Sequence, residues 1–136
     1  MTGTEKDKIP GPIGKYSPVR EVAMGDARML FVSGLAALGE APFDVEQQTE
    51  IIFRHMDRLL QEHGAGIKDV VKITAFLADI RGEYQKYNAV RNRVFAGMEH
   101  PPASSSVGIT MNLNAELRIE IEAIAVRSVR EALRTG

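Results

Sequence analysis

The sequence predicts an α+β domain in which two helices cover one face of a mixed sheet. Three observations lead there: two segments with helical apolar spacing, five short runs with strand character, and an order that interleaves them as β-β-α-β-α-β-β. At 136 residues the chain fits one domain, 1–136, large enough to bury a core without staples.

Each element has its own justification. Residues 1–13 carry turn residues and little to bury, so a flexible N-terminus is expected. Runs at 19–24 and 29–35 flank Gly25-Asp26, a pair suited to a tight turn, which predicts a β-hairpin. Asp44 precedes Val45, Thr49, Ile52, Met56, Leu59 and His63 at spacings of three and four, with Gly64 beyond; this is an amphipathic helix with Asp44 as N-cap. Residues 68–78 are β-branched and short enough for a buried strand. Helical spacing returns over 81–98 through Tyr84, Tyr87, Val90, Arg91, Val94, Phe95 and Met98, and stops at His100-Pro101-Pro102. Strand runs at 103–111 and 118–127 follow, bridged by residues 112–115, and 128–136 form a tail with helical propensity. Helices on one side leave the other face of the sheet half-apolar, and closed symmetric association is the usual remedy.

Composition narrows function. Lys+Arg 17 against Asp+Glu 18 gives a formal charge of -1, with no basic footprint for nucleic acid. Cysteine is absent, which excludes disulfides, thiolate metal sites and a cysteine nucleophile. No apolar run reaches the length of a membrane span, and the N-terminus has no apolar core, so a cytoplasmic protein with no membrane partner is expected. His55, His63 and His100 fall in no metal-ligand pattern and read as packing or surface residues. The glycine pairs Gly11/Gly14 and Gly64/Gly66 lack the lysine and context of a phosphate cradle. Ser33 and the run Ser104-Ser105-Ser106 have no nucleophile elbow around them.

The most informative stretch is Arg118-Ile119-Glu120-Ile121-Glu122-Ala123-Ile124-Ala125-Val126. Strand alternation puts Ile119, Ile121, Ala123 and Ala125 on one face and Glu120, Glu122, Ile124 and Val126 on the other. A carboxylate beside a like charge and apolar neighbours has its pKa raised toward proton-transfer use. The competing reading is a strand end whose carboxylates face solvent or pair with Arg118 or Arg127, and the pattern alone favours that one.

Ile13-Gly14-Lys15-Tyr16-Ser17-Pro18, Leu30-Phe31-Val32-Ser33-Gly34, Asp69-Val70-Val71-Lys72-Ile73-Thr74-Ala75-Phe76-Leu77, Tyr87-Asn88-Ala89-Val90, Pro101-Pro102-Ala103 and Ile119-Glu120-Ile121-Glu122-Ala123-Ile124-Ala125 stand in this order. The series resembles the signatures of the RidA/YjgF/YER057c/UK114 family over nearly the whole chain. The resemblance implies a chorismate-mutase-like subunit, a homotrimer with small-molecule clefts between subunits, and hydrolysis of 2-imino or 2-enamino acids without metal or cofactor. It further implies Glu120 as the catalytic carboxylate and Tyr16, Ser33, Gly34, Asn88, Ser104 and Ser106 as substrate-binding positions.

Two positions depart from the family pattern. The usual Gly-Pro-Tyr reads Gly14-Lys15-Tyr16, which adds a cation near the implied mouth. Where active members read Pro-Ala-Arg-Ser, with an arginine that forks onto the substrate carboxylate, this chain reads Pro102-Ala103-Ser104-Ser105. Some members resemble it in carrying Pro-Ala-Ser. The expectation is therefore a hydrolase or tautomerase of a small imine, enamine or carbonyl compound that is not a simple 2-imino acid. Arg118, Arg91 and Lys15 are the candidates for another cation in place of the family arginine. Alternatives are a non-catalytic metabolite-binding or chaperone-like trimer and, disfavoured by the balanced charge, an endoribonuclease.

Overall fold

A computed structural model describes residues 11–39, 44–110 and 112–128. β1 (Val19–Met24) and β2 (Ala27–Leu35) form the expected hairpin. Met24 pairs with Ala27, so Gly25 and Asp26 are the whole turn, and its left-handed φ of +57° falls on Gly25, which has no Cβ to oppose it.

α1 (Val45–Gln61) starts at the expected cap. The Asp44 carboxylate accepts the Gln47 N–H at 2.9 Å while the Gln47 side chain accepts the Asp44 N–H at 3.2 Å, a reciprocal capping box. Its buried stripe includes Val45, Thr49, Ile52, Met56 and Leu59, as the spacing predicts. The next strand is shorter than its β-branched run. Residues Ile67–Asp69 make a 3-10 turn, because the Asp69 carboxylate accepts the Gly66 N–H and Asp57 accepts the Ile67 N–H, each at 2.9 Å. These local bonds outcompete strand pairing there.

β3 (Val70–Leu77) leads into α2 (Ile80–Val94), which ends before the expected residue 98, and then β4 (Ala103–Gly108). β4 stops short of residue 111 because its partner β3 ends at Leu77, opposite Gly108. β5 (Ile119–Ser128) includes Ser128, expected in the tail. Residues 1–10 of the N-terminal segment, Met111 and the tail from 129 onward lie outside the described residues.

The sheet order is β1-β2-β5-β3-β4, with β3 and β4 parallel and every other pair antiparallel. The α2 crossover is what permits the parallel pair. The helices bury one face: Leu30, Val32, Ile73, Leu77, Ile119 and Ile121 pack with Ile52, Met56, Tyr87 and Val90. Phe53 and Phe95 meet edge to face at 5.5 Å, joining α1 to the end of α2. Alternation in β5 is as the sequence predicts: Ile119, Ile121, Ala123 and Ala125 are buried, Glu120, Ile124 and Val126 half-buried, and Glu122 exposed. On the face away from the helices Phe31 pairs with Ile124 and Glu120 with Phe76. No helix among the described residues is long and apolar enough to cross a membrane.

Candidate active site

Glu120 sits on the helix-free face, one residue into the third strand of the sheet. It lines a shallow depression with Phe76, Ile109, Asn112 and Leu113. Burial, and then the neighbouring Glu122 carboxylate, push its pKa up from the ordinary glutamate value. No ion pair reaches it among the described residues. Arg118, which precedes β5 instead of sharing the Glu120 strand face, binds Glu83 of α2 through Nε at 3.1 Å and a terminal nitrogen at 2.6 Å. The Arg127 guanidinium lies beside Gly64. Of the reading that the pattern alone favours, carboxylates facing solvent or pairing with Arg118 or Arg127, the solvent-facing part holds for Glu122, while Glu120 is half-buried and pairs with neither arginine.

Opposite this carboxyl, β2 is bulged. Val32 pairs with Ala123 and Leu35 with Ile121, so Ser33 and Gly34 together face one residue of β5. The extra residue brings Gly34 against Glu120: a Cβ at Gly34 would stand 2.8 Å from the Glu120 Cδ. Only a residue without a side chain leaves the carboxyl in place. The Ser33 hydroxyl donates to the Ser17 carbonyl at 2.7 Å, and the Ser33 N–H donates to the Pro18 carbonyl at 3.0 Å. Ser33 thereby ties the segment after Tyr16 to the bulge. Tyr16 is half-exposed and lines a second cavity with Ser33, Gly34, His55 and Leu59. Four of the expected positions, Tyr16, Ser33, Gly34 and Glu120, thus form one group around the bulge.

The other three form a second group. Ser104 pairs with Ile73 and Ser106 with Ala75, both core residues, so these serines point to the helix side of edge strand β4. There the Arg91 guanidinium donates to the Ser104 hydroxyl at 3.3 Å and, through its other terminal nitrogen, to the Asn88 side-chain oxygen. It also lies 5.4 Å from the centre of the Tyr87 ring. Ser105 faces the other way and takes a 2.8 Å bond from Lys72. Glu120 and Ser104 are therefore on opposite faces of the sheet within one chain. Lys15 is exposed, and no group of three metal-ligating side chains occurs among the described residues.

Helical spacing leaves Arg91 on the apolar stripe and gives no partner for it. Its partners come from β4, thirteen residues on, and from the preceding turn of its own helix. The bulge was likewise invisible, since a run of strand-forming residues carries no mark of an extra one.

Residues 6–127 match the family described as Endoribonuclease L-PSP. A RutC family protein of Aquifex aeolicus is 32% identical over 129 residues, covering 91% of this chain and 99% of that one. Escherichia coli TdcF, provisionally named a reactive intermediate deaminase, is 33% identical over 131 residues, covering 91% and 95%. The crystal structure of E. coli TdcF with bound serine superposes with a TM-score of 0.74 at 31% identity over 91% of this chain and 97% of that one. That of the E. coli YjgF gene product gives 0.73 at 31% identity over 89% and 94%. Sequence signatures, strand order and these matches agree along nearly the whole length, and the chain belongs to the RidA/YjgF/YER057c/UK114 family.

Proposed function

We propose that the protein is a RidA-type hydrolase or tautomerase that acts on a small imine, enamine or related carbonyl compound, in clefts between the subunits of a homotrimer. The observation that carries the reading is Glu120: a half-buried carboxyl with a raised pKa and no cation among the described residues to neutralise it. A base so placed takes a proton from water as the water oxygen bonds to the imine carbon. The C=N electron pair moves to nitrogen, which is protonated in turn. Collapse of the tetrahedral adduct then releases ammonia and leaves the carbonyl compound. Tyr16, Ser104 and Ser106 would hydrogen-bond the substrate, Asn88 would line the pocket, and a backbone N–H of the site other than that of Ser33, which is bonded to Pro18, would polarise the forming oxygen.

The separation of Glu120 from Ser104 across the sheet supports a shared site. A ligand touched by both groups has to lie between two copies of the chain, one presenting the bulge and its carboxyl, the other the β4 edge. The half-apolar sheet face, with Phe31 39% exposed and Val107 42%, is the surface such an assembly would cover. The provisional name of TdcF and its crystal structure with serine point to ligands the size of an amino acid. A chain without cysteine suits the reducing cytoplasm.

An amino-acid oxidase that generates 2-iminobutyrate or 2-iminoisocaproate, with semicarbazide trapping the free imine, tests the activity. Imine loss that the protein speeds, and that Glu120→Gln slows by roughly 10²- to 10⁴-fold, would mean that the pocket works on 2-imino acids despite Ser104; no acceleration would retire them and turn the search to uncharged enamines and carbonyl compounds. If no imine or enamine is consumed while 2-keto acids still raise the melting temperature, the protein is a binding trimer and the catalytic reading fails.

A further inference from the structure

Loss of the arginine at position 104 would leave the site without a grip on a carboxylate, unless another cation stands in its place. We infer that Arg91 is that cation, and that the substrate of the proposed deaminase site carries a carboxylate after all; the inference rests on the reading of that site as a small-molecule pocket. The guanidinium lies on Ser104 itself, held by the Ser104 hydroxyl, by Asn88 and by the Tyr87 ring. Three fixed points orient its plane, which is what two-pronged recognition of a carboxylate requires.

The surroundings favour an anion. The hollow beside Arg91 is lined by Ile80, Arg81, Tyr84, Gln85, Ser104 and Ser106. It holds two guanidinium groups and two serine hydroxyls but no acidic side chain. Two other arginines are neutralised, Arg93 by Glu46 and Glu50 and Arg118 by Glu83. Arg91 and Arg81 have no carboxylate partner among the described residues. An arginine kept without a counter-charge in a hydroxyl-lined hollow has donors left over for an incoming anion.

The swap also explains the serine. With the Arg91 guanidinium 3.3 Å from the Ser104 Oγ, a long side chain at 104 would run into it and set two like charges against each other. A small hydroxyl residue at 104 and an arginine at 91 are therefore one arrangement. The positive charge is supplied from the helix instead of the strand, and the site keeps its anion while changing where the anion sits.

Isothermal titration with 2-oxobutyrate and 2-oxoisocaproate, and with the corresponding uncharged amides, tests this without depending on turnover. The wild-type protein should bind the acids more tightly than the amides. Arg91→Met should weaken the acids about 10- to 100-fold, the range expected for a charged hydrogen-bond pair, and leave the amides unchanged. Arg91→Lys should retain part of the acid affinity, and unchanged melting temperatures exclude a folding defect. Wild-type indifference between acid and amide, absence of acid binding, or full acid affinity in Arg91→Met would each overturn the inference. Acid binding that needs Arg91 in a protein with no Glu120-dependent turnover would sink the deaminase reading instead and leave the anion site standing.

Discussion

Glu120 and Gly34 depend on each other, and each yields a measurable consequence. Because the Glu120 pKa is raised by burial and by Glu122, the base form needed to activate water is lost at a higher pH than for an ordinary glutamate. The acid limb of kcat/KM should accordingly fall above the usual carboxylate range, and replacing Glu122 with Gln should move that limb downward. A limb unmoved by Glu122→Gln would remove the like-charge contribution. Stability has the opposite sign to that of a salt-bridged acid. A raised folded-state pKa means the group's contribution is fully present below its unfolded value and is lost as pH rises through the folded one. Glu120→Gln should therefore melt higher than wild type at neutral pH and lose the advantage below about pH 4. Gly34→Ala acts by displacement: its Cβ would crowd the Glu120 carboxyl at 2.8 Å. A shift of that order in a catalytic group costs roughly 10²-fold in kcat, and because Gly34 is exposed and has no left-handed φ the melting temperature should barely move.

At the scale of elements, Gln48 of α1 sets where β5 begins. It is buried, its amide nitrogen donates to the Glu116 carbonyl at 2.7 Å and its oxygen accepts the Arg118 N–H at 2.9 Å. One side chain thus satisfies two backbone groups of the loop that delivers Glu120 two residues later. Gln48→Leu would strand both groups at a cost of about 1–3 kcal/mol each, so equilibrium denaturation should show a loss of a few kcal/mol in total. If the variant is as stable as wild type, water replaces the amide and the loop is not held from α1. Sequence periodicity marked α1 through its apolar stripe, and Asp44 marked its start. It could not assign Gln48, a polar residue in the first turn of a helix whose partners lie about seventy positions away.

For the whole molecule, Glu120 and the Ser104–Arg91 pair lie on opposite faces, so the proposed site, which uses both, has to be built between copies of the chain. Mixing refolded Glu120→Gln with refolded Arg91→Met, each poorly active alone, should restore up to about a quarter of wild-type activity, the share of interfaces in a random closed trimer that receive both intact halves. Absence of any recovery would mean that each site is built from one chain. Phe31→Glu, on the half-apolar face beside Ile124, should yield a smaller species by analytical ultracentrifugation and a matching loss of activity.

The element order, the hairpin turn at Gly25-Asp26, the capped first helix and the two faces of β5 are legible in the chain, because each is written in local spacing: periods of two or three to four, and turn residues at the joins. The ordered family signatures added the candidate positions of the site. Which charges meet is settled only by the packing of distant elements. Arg118 turns to Glu83, leaving Glu120 without it, and Arg91 reaches across to Ser104. Local pattern puts a side chain on a face, but the partner it finds there depends on how far the loops carry distant elements toward one another. The bulge at Ser33-Gly34 belongs to the same class, since register between β2 and β5 is a relation between segments some ninety residues apart and not a property of either.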